Sequence, residues 1–117
     1  MPIVSINQAK KAQIDRNTDL ENLDFWFSNV VEAGWASPEG WRLGLSEADV
    51  TLLTGQFVLA KEADAAGGDL PAVIDKAGEP HVFESLEELT ALMLAYGQAR
   101  AALSAEYASR KAAILAQ

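Results

Sequence analysis

The stretch SLEELTALMLAYGQARAALSAEYASRKAAILAQ, residues 85–117, decides how the chain is read. It opens with Ser85-Leu86-Glu87-Glu88, a serine followed three residues later by an acid, the pattern of a capping box. Steps of three and four from there meet Leu86, Leu89, Met93, Tyr96, Arg100, Leu103, Tyr107, Arg110 and Ile114. Seven of these nine are apolar or aromatic, which is enough for one packed stripe on a helix over 85–116. Beside it runs a seam of small residues, Ala91, Ala95, Ala99, Ala102, Ser109 and Ala113, where another helix could approach closely. At 1.5 Å per residue such a helix is about 45 Å long, more than a compact core of this size needs. Its C-terminal half therefore packs on the first helix or on another copy of the protein, the second being slightly favoured. Tyr96, Arg100, Leu103, Tyr107, Arg110 and Ile114 form the candidate partner or self-association face. Arg100 and Arg110 would sit in it with their stems packed and heads reaching water or an acid, or in a buried ion pair that fixes register.

Upstream of this helix, Ala72-Val73-Ile74-Asp75 and Pro80-His81-Val82-Phe83 are short β-prone runs joined by Lys76-Ala77-Gly78-Glu79. They read as a hairpin over 72–83, with Pro80 opening its second strand or facing an edge. Before it, Ser46-Glu47-Ala48-Asp49 caps a helix over 46–66, with Val50, Leu53, Phe57 and Ala60 at helical spacing and Gly67-Gly68 ending it. The first helix covers about 6–21, with Ser5 and Gln8 at capping-box spacing and a thin apolar face of Ile6, Ala9, Ile14 and Leu20.

Between these two helices, 23–43 reads as an extended aromatic segment, because aromatic and β-branched residues suit strands. The turn Ala36-Ser37-Pro38-Glu39-Gly40 and a short strand at Trp41-Arg42-Leu43 close it. Trp26, Trp35 and Trp41 fall in this segment. They are the lid of the core in the favoured reading and a ligand or partner patch in the alternative. The expected fold is one α+β domain over 1–117: three helices, the last one long, and a short antiparallel sheet.

Composition excludes more than it assigns. The chain has 117 residues, no cysteine and a net charge of −8, with 17 acids against 9 bases. Nucleic acids are bound largely through lysine and arginine contacts to phosphate, so an acidic chain is not expected to bind them. No apolar run approaches the ~20 residues of a membrane span, and the N-terminus lacks a signal-peptide pattern. Nucleophile elbows, phosphate loops, dinucleotide fingerprints and calcium loops are missing from the sequence. The single histidine, His81, cannot supply a two-histidine metal site and is read as a hairpin residue facing water, with Asp75 and Glu79 nearby. Glu87 and Glu88 point about 100° apart on a helix and serve its first turn, not a glycosidic bond. The expectation is a protein with no catalytic, cofactor or metal site.

Several motifs are similar to a small domain of unknown function found in bacteriophages and prophages. They are Lys10-Lys11-Ala12-Gln13-Ile14-Asp15-Arg16 near the start, Glu88-Leu89-Thr90, Arg100-Ala101-x-Leu103, and Tyr107-Ala108-x-x-Lys111-Ala112-Ala113-Ile114. Phe83 and Ser85 stand where the family places a strand end and a helix cap; Trp26, Trp35 and Trp41 depart from its usual pattern. Members of that family are tail-fibre-associated. The resemblance implies a structural or assembly protein, made in the bacterial cytoplasm and carried in some cases into the virion. Its implied partners are phage tail proteins or itself, through the C-terminal helix. The alternative is a small acidic phage-encoded regulator that inhibits a host protein by occupying a basic site.

Overall fold

A computed structural model describes residues 2–117, with side chains from Asn7 onward. The architecture is α+β and mostly helical: α1 (Pro2–Ala33), β1 (Trp35–Ala36), β2 (Arg42–Leu43), α2 (Glu47–Ala65), β3 (Val73–Ile74), β4 (Pro80–His81) and α3 (Leu86–Leu115). Each pair of strands forms its own two-stranded antiparallel sheet.

The segment expected to be extended from residue 23 is helical as far as Ala33. The reason lies in spacing. Leu23, Trp26, Phe27, Val30 and Val31 recur at intervals of three and four, and they are the buried or half-buried positions, while Asp24, Phe25, Ser28 and Asn29 are exposed. A helical period in the apolar pattern overrides strand propensity, which is a weak and context-dependent preference. The helix also begins earlier than expected, so Ser5 lies inside it; the Ser5 side chain falls outside the described residues.

Gly34 ends α1. Its φ of +81° is in the left-handed region, and its amide donates to the Val30 carbonyl at 3.1 Å. Arg42 reaches back from β2 and donates to the Ala33 and Gly34 carbonyls at 3.3 and 3.1 Å, satisfying the helix end. The β1–β2 register pairs Trp35 with Leu43 and Ala36 with Arg42, around a tight turn in which the Gly40 amide donates to the Ser37 carbonyl at 3.0 Å.

Ser46 caps α2 with a reciprocal capping box to Asp49. At α3 the Ser85 hydroxyl accepts from the Glu88 amide at 3.2 Å, but the Glu88 carboxylate accepts from Glu84 instead of closing a box on Ser85. The β3–β4 register pairs Val73 with His81 and Ile74 with Pro80. The two sheets are tied by the Lys76 amide, which donates to the Arg42 carbonyl at 2.7 Å.

Two regions result. In the head, Leu43, Leu45, Leu53, Ala60, Val73, Leu89, Leu92 and Tyr96 form the buried core. From it α1 and α3 run antiparallel as a two-helix stalk. The Arg16 guanidinium donates to the Gln117 carbonyl at 2.6 Å, so the first four turns of α1 pass beyond the end of α3. Asn7–Asp15 are exposed throughout. The molecule measures 77 × 24 × 21 Å with a radius of gyration of 20.7 Å, against about 13 Å for a compact chain of this length. Among the described residues no helix is long and apolar enough to cross a membrane.

Candidate functional site

The stripe read as a partner face on α3 is covered by α1 of the same chain. Tyr107 donates to Asp24 Oδ1 at 2.6 Å and packs its ring 4.9 Å from that of Phe27. The Arg110 guanidinium lies 4.1 Å from the centre of the Trp26 ring while pairing with Glu106 at 2.8 Å. Leu103 and Ile114 are half-buried, Ile114 beside Leu23 and Trp26. Of the two options left open for the C-terminal half of α3, packing on the first helix is the one observed.

Nearer the head the same stripe anchors the core. Tyr96 is 2 % exposed and donates to the Gly44 carbonyl at 2.6 Å. Arg100 Nε donates to the Leu45 carbonyl at 2.9 Å, a second guanidinium nitrogen donates to Ser104, and the group lies 5.6 Å from the centre of the Phe27 ring. Neither Arg100 nor Arg110 is held in a buried ion pair. Arg100 satisfies the Leu45 carbonyl just before α2, and Arg110 is half-exposed. Burial pushes the Tyr96 phenol up, helped by the Asp49 charge and opposed by Arg100. The Tyr107 phenol is also raised, mainly by its hydrogen bond to Asp24.

The three tryptophans go to three places. Trp26 belongs to the stalk, Trp35 packs edge-on against Tyr96 at 5.8 Å, and Trp41 stacks on His81 at 4.0 Å with an interplanar angle of 13°. Trp35 and Trp41 pack against the core.

His81 is not a water-facing hairpin residue. Its Nε2 lies 2.7 Å from Asp75 Oδ2, and Asp75 is itself buried, accepting from the Ala77 and Glu79 amides at 2.8 and 2.9 Å. The His81 bond and the Glu79 amide hold the Asp75 carboxyl below its usual range; burial opposes them and the Ala77 amide adds to them. Aspartate, histidine and tryptophan thus form a chain of contacts joining the second hairpin to the turn of the first. A cleft of about 580 Å³ adjoins it, lined by Ser37, Glu39, Trp41, His81 and Phe83 from the hairpins and by Ala91 and Ala95 of α3. Among the described residues no three side chains of metal-ligating type gather.

The larger opening lies between α2 and α3. It is a groove of about 780 Å³ whose floor and walls are mostly apolar: Val50, Phe57, Met93, Leu94, Gly97 and Ala101, with Thr51, Thr54 and Thr90 along the rim. Glu47 and Arg100 are its charged lining residues. Leu94 is 60 % exposed there. Three residues of the sequence-predicted stripe, Met93, Tyr96 and Arg100, line this groove, but the rest of its α3 wall, Thr90, Leu94, Gly97 and Ala101, is an adjacent face that mixes small and apolar residues and was not singled out. The spacing of Leu94, Gly97 and Ala101 at intervals of three and four is the signal that could have revealed it.

No family model, curated protein or solved structure matches the chain.

Proposed function

We propose that the chain is a non-enzymatic structural or assembly protein of a phage or prophage tail, acting through protein–protein contacts. The observation that carries this reading is the apolar groove between α2 and α3, open at the surface of a head held on a long stalk. A mostly apolar surface groove between two helices, with Glu47 and Arg100 as its only charged lining residues, suits an apolar segment of another protein. The motifs from Lys10 to Arg16 and from Glu88 to Ile114, with their resemblance to tail-fibre-associated domains, supply the biological setting.

The competing reading, an acidic inhibitor that occupies a basic site on a host protein, wants its acids in ordered rows. Here the acids are dispersed over α1, α2, both hairpin regions and α3, and several are engaged within the chain: Asp24 by Tyr107, Asp49 by Ser46, Asp75 by His81 and Glu106 by Arg110. That arrangement favours the tail reading.

The test is genetic. Deleting the chain from an inducible prophage that encodes it should give particles with missing or incomplete tail fibres by electron microscopy. Complete, infective particles from the deletion strain would reject the assignment.

A further inference from the structure

The cleft beside Asp75 and His81 shares no residue with the α2–α3 groove, and its charge is of one sign. Two carboxylates line it, Glu39 from the turn of the first hairpin and Glu88 from the first turn of α3. Each accepts one hydrogen bond through Oε2, Glu39 from the Trp41 indole at 3.2 Å and Glu88 from the Glu84 amide at 3.3 Å. Among the described residues neither is paired with a lysine or arginine. The segments that build the cleft have no such base to offer: none occurs from Asn17 to Trp41 or from Ala77 to Ala99. Arg42, the next along, donates to the Ala33 and Gly34 carbonyls instead. A second feature is independent of charge. Ser37 lines the same cleft and is 6 % exposed, and its hydroxyl has no hydrogen-bond partner among the described residues. Buried polar groups are nearly always satisfied, so an orphan hydroxyl on a cleft wall calls for a ligand that satisfies it.

We propose that this cleft binds an alkylammonium group, held by Glu39, Glu88 and the Ser37 hydroxyl. A primary ammonium brings three N–H donors and no acceptor, which matches two carboxylates and a hydroxyl able to accept. The rest of the wall includes Val82, Phe83, Ala91, Leu92 and Ala95, and this apolar surface suits the methylenes of an alkyl stem. Other chemistries fit less well. An anion would meet two like charges, and a neutral sugar would need donors that the lining lacks. A divalent cation would lack ligands, since among the described residues no three metal-ligating side chains gather. The volume, about 580 Å³, lies within the ~300–1,000 Å³ of small-ligand sites. The Asp75–His81 bond and the His81–Trp41 stack brace the two hairpins against each other, so the wall is formed before the ligand arrives. A free polyamine and the lysine side chain of a partner share this chemistry.

The test is isothermal titration calorimetry of the full chain at low salt with putrescine, with Nα-acetyl-lysine methylamide, and with butyrate as an anion of similar stem. Saturable binding of at least one amine, and none of butyrate, is the expected result. Tighter binding of putrescine identifies a free polyamine as the source, and tighter binding of the lysine amide a partner's side chain. Glu39→Gln and Glu88→Gln should each weaken binding about two- to five-fold. Glu87→Gln makes the same change of charge one residue away, off the cleft wall, and should leave the affinity unchanged. Ser37→Ala should weaken binding about two- to ten-fold without lowering the thermal midpoint of the free chain, because the hydroxyl it removes is unsatisfied. Ala91→Leu, at an exposed helical position, should fill the cleft and abolish binding with helicity unchanged. No saturable binding of either amine overturns the proposal, and so does equal binding of butyrate. Weakening by Glu87→Gln as large as that by Glu39→Gln and Glu88→Gln, or full affinity in Ala91→Leu, overturns it as well. Unchanged affinity or a lowered midpoint in Ser37→Ala overturns the part given to the hydroxyl.

Discussion

Tyr107 donates its phenolic proton to Asp24 at 2.6 Å, across 83 positions of sequence, and so fixes the register of the two long helices. Both tyrosines of the chain are held in this way by groups on other elements, Tyr107 by α1 and Tyr96 by the Gly44 carbonyl.

Alkaline titration should therefore find no ordinary phenol. Both groups are raised in the folded chain, Tyr96 by burial and Tyr107 by Asp24. A group raised on folding contributes stability that is present below its unfolded value and lost as pH rises through its folded one. A near-ultraviolet titration should show both tyrosines ionising above the range of a free tyrosine amide, and stability should fall as they do. Tyr107→Phe should remove part of that alkaline loss.

At acid pH the opposite sign applies. Asp75 is lowered on folding, mainly by its bond to His81. Its contribution is present above the unfolded carboxylate value and lost as pH falls through the depressed folded one. Denaturant midpoints of the wild type and Asp75→Asn should differ at neutral pH and converge in acid. A constant difference across the range would mean that the Asp75 charge is not what is being lost.

Two glycines give a matched pair. Gly34→Ala forces a side chain onto a φ of +81° and puts its Cβ 2.7 Å from the Leu43 carbonyl oxygen; it should cost on the order of 1–3 kcal/mol. Gly97 lies in α3 with open space around it, so Gly97→Ala should stabilise by about 1 kcal/mol. Thermal unfolding of the two variants reads both signs.

Among the described residues of α1, Leu23 is the buried one, at 5 % exposed. Leu23→Ala should destabilise by about 2–5 kcal/mol. Phe25→Ala, two positions away and 70 % exposed, should be close to neutral by the same chemical denaturation.

How much of this was visible in the residues depends on the kind of signal. Serines at 46 and 85 announce helix starts, and they cap α2 and α3 in the structure, because a capping side chain satisfies amides that nothing else reaches. The turn glycines Gly40 and Gly78 mark the hairpin loops for a comparable local reason, both having positive φ. From Leu23 to Ala33 two signals conflicted: residue type favoured a strand, whereas spacing favoured a helix, and only the tertiary contact with α3 decides between them. Partner identity was further out of reach. The stripe from Tyr96 to Ile114 needs a covering surface, and sequence alone does not distinguish α1 of the same chain from another copy. The Asp75–His81–Trp41 contacts join two hairpins, so only His81 and its acidic neighbours were visible as a possibility. The α2–α3 groove depends on the crossing of two helices, which no single stretch encodes.

The most direct measurement of the functional account is affinity capture of the tagged chain from an induced lysogen, with mass spectrometry of what comes with it. Recovery of a tail-fibre or baseplate protein, lost when Leu94 in the groove wall is changed to Glu, is the result the account predicts. Capture of no tail protein, or equal capture by the wild type and Leu94→Glu, would contradict it.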